Sequence, residues 1–417
     1  MSNAADSPRI DTSFVPVSQE TQPPTVVWPG IVIGFGTAVA MWILWYVMHL
    51  PSIRVSAPIS ATALLIALVA GVGLGTRGLG TVAAKAGLIA GLTAGLVNLL
   101  LLGSKLTEAG DSPGEATATL IPSAPLIVLG FLGVCLGAGF VGGVLGGALA
   151  PERRVHPGFW LARFSFIAIA SLVPLIVVGG AVTSAGAGMA VPDWPGTYGS
   201  NMFLYPIALM ADPYIFLEHT HRLFGTLVGL VAIVLTVAVL RAHGGWRALL
   251  VTLPLAAGAL ATTIANNADR IDPGLSLPLL GLIAVLLLGW TLFAAVSGST
   301  GGLAAGIFAL VCTQGMLGAL RVTEINPIFG VLHGVLAQLI FGSMVILAVS
   351  LTGGWRSRIS LPMDTLRAAT SSRGVAVATT VCLLIQLTLA AMYRHTGSQH
   401  ALWTHIAFAI VVAVLVG

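Results

Sequence analysis

Twelve stretches of mostly apolar residues, each about 20 long, run through this chain with few charges inside them, and nothing constrains its fold more. A segment of that length and polarity crosses the hydrocarbon of a bilayer. Inside lipid, every backbone N–H and C=O must pair within its own helix or within a closed barrel. The segments lack the alternating polarity of barrel strands, so helices are the solution left. The chain is 57% hydrophobic and only 8% charged, with a mean hydropathy of +0.99. The expected fold is all-α and polytopic, with about 12 transmembrane spans. These lie at 28–49, 58–76, 82–103, 119–149, 160–183, 213–240, 248–266, 275–296, 303–320, 327–351, 374–393 and 402–417.

The polar residues 1–27 read as a disordered tail before an uncleaved first helix, because they lack the charged and cleavable regions of a signal peptide. With that tail in the cytoplasm, the inside loops carry 12 Lys and Arg and the outside loops 6 of the 18 in the chain. The positive-inside rule therefore predicts a plasma (inner) membrane protein with a cytoplasmic N-terminus. The basic residues are scattered over loops rather than gathered in a patch, so nucleic acid is not a partner. Cys135, Cys312 and Cys382 all sit within apolar segments without redox or metal spacing, and read as core. Residues 28–150 form a Gly/Ala/Leu-rich unit of four spans, small-residue packing surfaces with no visible chemistry.

The chemistry gathers later. Glu218, His219, Thr220, His221 and Arg222 form a charged cluster at the outer end of the sixth span. Ionisable groups at membrane depth are costly and mark function by default. Arg321 closes the ninth span, His333 lies about two turns into the tenth, and His405 lies in the twelfth. Three histidines on three helices thus share one depth in the outer leaflet. Haem explains this economically, since neutral imidazole is a common axial ligand and bundle cofactors are held between facing helices. Arg222, Arg321 and Arg394 occupy the level where porphyrin carboxylates would seek guanidinium partners. Glu218 and His221 are three residues apart and share a helix face.

An internal echo accompanies the cluster. Gln314 precedes His333 by 19 residues, and Gln386 precedes His405 by 19. Arg321 and Arg394 follow their glutamines by seven and eight residues. Spans nine and ten therefore resemble spans eleven and twelve, as duplicated units do in membrane sites.

Each residue also has a structural reading. His221 can cap its helix or pair with Glu218; His333 and His405 can be packing or interfacial residues; the arginines can snorkel. His219 points about 160° away from His221 and reads as structural. His395 and His400 read as solvated residues of an outer turn, and His49, His156 and His243 as span-end or loop residues, although His49 shares the outer side with His405.

The chain resembles the haem A synthase family over about residues 160–417. The resemblance rests on Gly179-Gly180-Ala181-Val182-Thr183, on Gly186-Ala187-Gly188-Met189-Ala190-Val191-Pro192-Asp193-Trp194-Pro195 and on Glu218-His219-Thr220-His221-Arg222. It continues through Gln314-Gly315-Met316-Leu317-Gly318-Ala319-Leu320-Arg321-Val322-Thr323, His333 and Arg394-His395-Thr396-Gly397. The resemblance implies two pseudosymmetric four-helix bundles, each with a histidine pair. His221 and His333 would bracket substrate haem O, Glu218 would be the essential carboxylate, and His405 would be a ligand of an electron-passing haem b. The implied reaction turns a haem O methyl into a formyl group for cytochrome oxidase. The implied partners are the lipid bilayer, haem O, haem O synthase and cytochrome oxidase assembly proteins.

The chain departs from the family pattern in its four leading spans and in two inserted spans at about 248–296. It also lacks the cysteine pair of the outer loop. Residues 151–355 would then be the catalytic bundle, and 356–417 the start of a second bundle lacking its last two helices. Two other readings stay open. One is a haem b-binding electron-transfer or haem-handling protein without synthase activity. The other is a transporter with His and Glu in a proton path, disfavoured because the polar groups lie near one face rather than at the midplane.

Overall fold

The structure is a computed structural model that describes residues 26–53, 55–108, 119–153, 158–267, 270–323, 327–356 and 363–416. The expected tail up to residue 25, the basic residues Arg9, Arg54, Arg154 and Arg358, His156 and most of the acidic stretch 104–118 lie outside the described residues. Among the described residues, twelve helices are long and apolar enough to cross a membrane. This is an all-α, multi-pass membrane protein.

In chain order the helices are α1 (Val27–His49), α2 (Ala57–Thr76), α3 (Ala83–Leu102), α4 (Ala124–Leu149), α5 (Phe159–Ala185), α6 (Pro213–His243) and α7 (Leu249–Asn267). They continue with α8 (Pro273–Val296), α9 (Thr300–Thr323), α10 (Pro327–Leu351), a single turn α11 (Gly353–Arg356), α12 (Met363–Thr396) and α13 (Gln399–Val416). Two expected boundaries shift most: α12 runs from Met363 to Thr396 rather than over 374–393, and the start of the fourth span moves. The fourth span begins at Ala124 rather than 119, because Thr119–Leu120 pairs antiparallel with Thr107–Glu108 and Pro125 sits in the first helical turn.

Helices α1–α4 pack as one unit. Glycines let α3 and α4 approach backbone to backbone: a Cβ on Gly87 would lie 2.7 Å from the Gly143 Cα. Helices α5, α6, α9 and α10 close a ring, each packed on its neighbours. The α7–α8 hairpin lies against α9 outside this ring, α12 packs on α10, and α13 packs on α12. An aromatic seam joins the first unit to the ring. Trp42 meets Phe224 at 5.7 Å, Tyr46 meets Phe216 at 5.7 Å, and Phe35 meets Phe164 at 5.3 Å between centroids.

Helix α6 carries most of the polar cluster and is firmly started. Asp212 caps it, accepting from the N–H groups of Tyr214 (2.8 Å) and Ile215 (3.2 Å), and Pro213 occupies the first helical position. Helix α5 ends on Gly186, whose φ of 72° is the left-handed conformation that closes a helix terminus. Between them the segment 186–212 folds back over that end of the ring.

Candidate functional site

His221 of α6 and His333 of α10 face each other inside the ring, with ring centroids 6.5 Å apart and planes at 71°. Both Nδ1 atoms are buried without a hydrogen-bond partner. The His221 ring approaches the backbone of Leu175 on α5, and the His333 ring that of Gln314 on α9, without closing a hydrogen bond of good geometry. Ligating histidines are ordinarily oriented by a hydrogen bond from one ring nitrogen while the other is left for metal; here the backbone lies beside each ring and that bond is not made.

The separation suits such a use. With centroids 6.5 Å apart, the two rings would each offer one nitrogen to a metal held between them. Among the described residues, no group of three or more His, Cys, Asp and Glu gathers to hold a bare ion. Two imidazoles without further donors fit a metal that brings its own equatorial ligands, as a porphyrin does.

Glycines make room for these side chains. A Cβ on Gly179 would lie 2.7 Å from His221 Cε1, and one on Gly318 would lie 3.2 Å from His333 Cε1. A Cβ on Gly188 would lie 2.7 Å from an Arg321 nitrogen, and one on Gly330 would lie 2.6 Å from His395. Gly179, Gly188 and Gly318 belong to the motifs described above, where the residues alone assign them no work. The signal was there in small residues set into otherwise bulky helices opposite polar side chains.

Glu218 is buried and held by Arg222, with Nε donating to Oε1 at 2.9 Å. The remaining Arg222 donors go to the backbone of the covering segment: the carbonyls of Asp193 (2.6 Å), Gly196 (3.0 Å) and Val191 (2.7 Å). Arg222, expected to grip a ligand carboxylate, is engaged with protein in this structure. Its planar fork satisfies loop carbonyls that have no helical or ladder partner. Arg394, expected in the same role, donates to the Thr183 carbonyl and, at 3.3 Å, to that of Ser184. Both lie in the last turn of α5, where a cation is favoured by the helix dipole. Arg321 differs, since it makes no ion pair or hydrogen bond to a described residue. It lies within electrostatic reach of Glu218, His221, His333, His395 and Arg394.

His395 is not the solvated turn residue expected. It ends α12, half-buried, with its ring against Gly330 of α10, because α12 continues past the expected end of its span to Thr396. His219 does turn away from His221. Its Nδ1 lies 3.2 Å from the Thr197 hydroxyl and its ring packs on Tyr205, so it anchors the covering segment. His49 stacks on Trp45 within the first unit.

The covering segment is internally braced. The Asp193 carboxylate accepts from the N–H groups of Tyr198 (2.7 Å) and Gly199 (2.9 Å), and the Tyr198 hydroxyl donates to the Ala190 carbonyl. Burial, reinforced by Tyr198 and Asp193, pushes the Tyr205 phenol up to about 12. Burial and then Asp212 and Asp193 raise that of Tyr198, against the opposing pull of Arg222.

The internal echo is physical. Gln314 donates to the His333 carbonyl at 2.9 Å, and Gln386 donates to the His405 carbonyl at 3.1 Å. The His405 Nδ1 lies 3.1 Å from the Gln386 carbonyl. The α9–α10 and α12–α13 hairpins are thus cross-linked alike, but His405 is only half-buried and meets no second histidine among the described residues. No protein-family model, curated protein or solved structure matches this chain.

Proposed function

We propose that this protein is a haem-binding oxidoreductase of the haem A synthase type, taking haem O between His221 and His333. The observation that carries this reading is the edge-on pair of imidazoles, 6.5 Å apart between centroids, whose Nδ1 atoms are buried without a hydrogen-bond partner. When bound, haem supplies the iron for oxygen chemistry and the ring methyl to be oxidised to formyl. The chain's own residues divide the remaining work. His221 and His333 fix the ring plane, with Gly179 and Gly318 setting their depth. Arg321, which of the three arginines makes no hydrogen bond to a described residue, neutralises a porphyrin carboxylate. Glu218 holds or accepts a proton at its carboxylate, with Arg222 keeping it in place. The braced segment 186–212 excludes water from that end. His405, on the twin hairpin, is the ligand proposed for a haem b. The count of 12 inside against 6 outside basic residues supports a plasma-membrane location with the N-terminus in the cytoplasm. Haem O synthase and oxidase assembly factors are the corresponding proposed partners.

A reduced-minus-oxidised spectrum with pyridine haemochrome analysis of the purified protein tests the reading. His221→Ala and His333→Ala are each expected to lose the Soret band of the ring site. Glu218→Gln is expected to keep pigment and lose formyl product. Unchanged haem content in both histidine variants would sink the assignment.

One observation favours a second reading, a haem carrier without synthase activity. Among the described residues, the charged partner of Glu218 within bonding distance is Arg222, which already neutralises it. Pigment extracted from cells supplied with haem O separates the two: haem A supports the synthase, and haem O alone supports the carrier.

A further inference from the structure

The first four helices border a half-open cavity of about 400 Å³ that the ring site does not use. Its size is that of a small-molecule site. Its walls include Leu64, Leu65 and Leu68 of α2, Leu101 of α3, and Phe131 and Val134 of α4. Four polar side chains interrupt this apolar lining: His49, Ser60, Thr62 and Asn98. Each has already given its hydrogen to protein. Ser60 donates to the Ala57 carbonyl at 3.1 Å and Thr62 to the Pro58 carbonyl at 2.9 Å. The Asn98 amide donates to the Ala94 carbonyl at 2.8 Å and to the Met41 sulfur at 3.5 Å. His49 Nδ1 lies 2.8 Å from the Trp45 carbonyl, which only accepts, so this nitrogen is the donor.

The consequence is a lining rich in acceptors. Asn98 is 6% exposed, and the Ala94 carbonyl fixes which end of its amide is nitrogen, so its free group is a carbonyl oxygen. His49 offers Nε2, and the two hydroxyls offer lone pairs. The donors that remain are the Trp45 indole, the Cys135 thiol and, at the rim, the Lys105 ammonium. A ligand that only accepts, such as an ether or ester chain, leaves the Asn98 oxygen desolvated and unpaired, a costly state in an apolar chamber. A hydroxyl can donate to that oxygen while its apolar tail fills the leucine- and phenylalanine-lined remainder.

We propose that the α1–α4 unit is a binding chamber for a lipophilic alcohol, its hydroxyl donating to the Asn98 amide oxygen and its chain lying between α2 and α4. The site is separate from the ring. Trp45 and Met41 form its inner wall, and the aromatic seam to Phe216 lies behind them.

Native mass spectrometry of the full-length protein, released from detergent and titrated with dodecanol, dodecyl methyl ether or dodecanoate, tests the proposal. The three probes share a chain and differ only at the head. One dodecanol per chain is expected, bound three- to tenfold more tightly than the ether. Asn98→Leu is expected to abolish that preference. Ala61→Phe, at the rim, is expected to weaken both neutral probes. Equal binding of alcohol and ether would mean that the cavity merely accepts membrane acyl chains. Preference for dodecanoate would mean that Lys105 recruits an anion. Either result, or no binding of dodecanol, overturns the proposal. The wild-type comparison of alcohol with ether decides the matter even if the Asn98 variant does not fold.

Discussion

His221 and His333 stand ring to ring at 6.5 Å, and each lies against a glycine on a neighbouring helix, Gly179 of α5 and Gly318 of α9. The two contacts differ in tightness. An added methyl at Gly179 would sit 2.7 Å from the His221 ring, closer than real contacts allow, whereas at Gly318 it would sit 3.2 Å from His333. Packed interiors transmit such overlaps as displaced side chains. Gly179→Ala is therefore expected to weaken haem binding by about tenfold or more, equivalent to about 1.4 kcal/mol. Gly318→Ala is expected to weaken it less. Haem titration followed at the Soret band measures both, and the reverse order would show that the rings are not positioned by these glycines.

Arg222 bridges Glu218 and three carbonyls of the covering segment while its side chain is 8% exposed. Arg222→Met leaves a buried carboxylate unpaired and is expected to cost about 3 kcal/mol or more. Arg222→Lys keeps the charge but not the fork, and should fall in between. Thermal unfolding, with chymotryptic cleavage at Tyr198 and Phe203 as the local readout, measures the effect. Loss of haem without opening of the segment would instead mark Arg222 as a ligand-binding residue.

The paired glutamines make a controlled comparison. Gln314→Leu and Gln386→Leu each remove one cross-hairpin hydrogen bond, of 2.9 and 3.1 Å. Such bonds between membrane helices are worth roughly 0.6–1.7 kcal/mol. Only Gln314 supports a histidine of the ring, so its loss is expected to lower thermal stability and haem affinity together. Loss of Gln386 should lower stability alone. Equal effects on haem would contradict the asymmetry between the hairpins.

The covering segment should respond to alkali. In the folded protein the Tyr205 phenol titrates at about 12, held up by burial, against about 10 in an unfolded chain. Between those values the folded state holds a proton that the unfolded state has lost, so stability falls as pH rises. Phenolate absorbance should therefore show late titration. Cleavage at Tyr198 and Phe203 should increase between about pH 10 and 12, and Tyr205→Phe should flatten that rise. Ionisation of all five tyrosines near their ordinary value would show that the segment is open.

The sequence by itself determined the membrane fold. Apolar stretches of span length leave the backbone no option but helices, and hydrocarbon makes every buried charge conspicuous, so Glu218, His221, Arg321 and His333 stood out before any contact was known. Spacing even exposed the twin hairpins, because residue offsets survive in a helical pair. The assignment of partners came only with tertiary structure. Whether a guanidinium meets a ligand or a loop carbonyl depends on where segments 186–212 and α5 end in space. That separated Arg222 and Arg394, tied to backbone, from Arg321, and it drew His395 from an expected turn onto Gly330. The glycines show the same limit: in sequence they are small residues, and only the packed rings reveal which of them leave room for chemistry. Local pattern fixes where a polar group lies along its helix; which neighbour satisfies it is decided by helices distant in sequence.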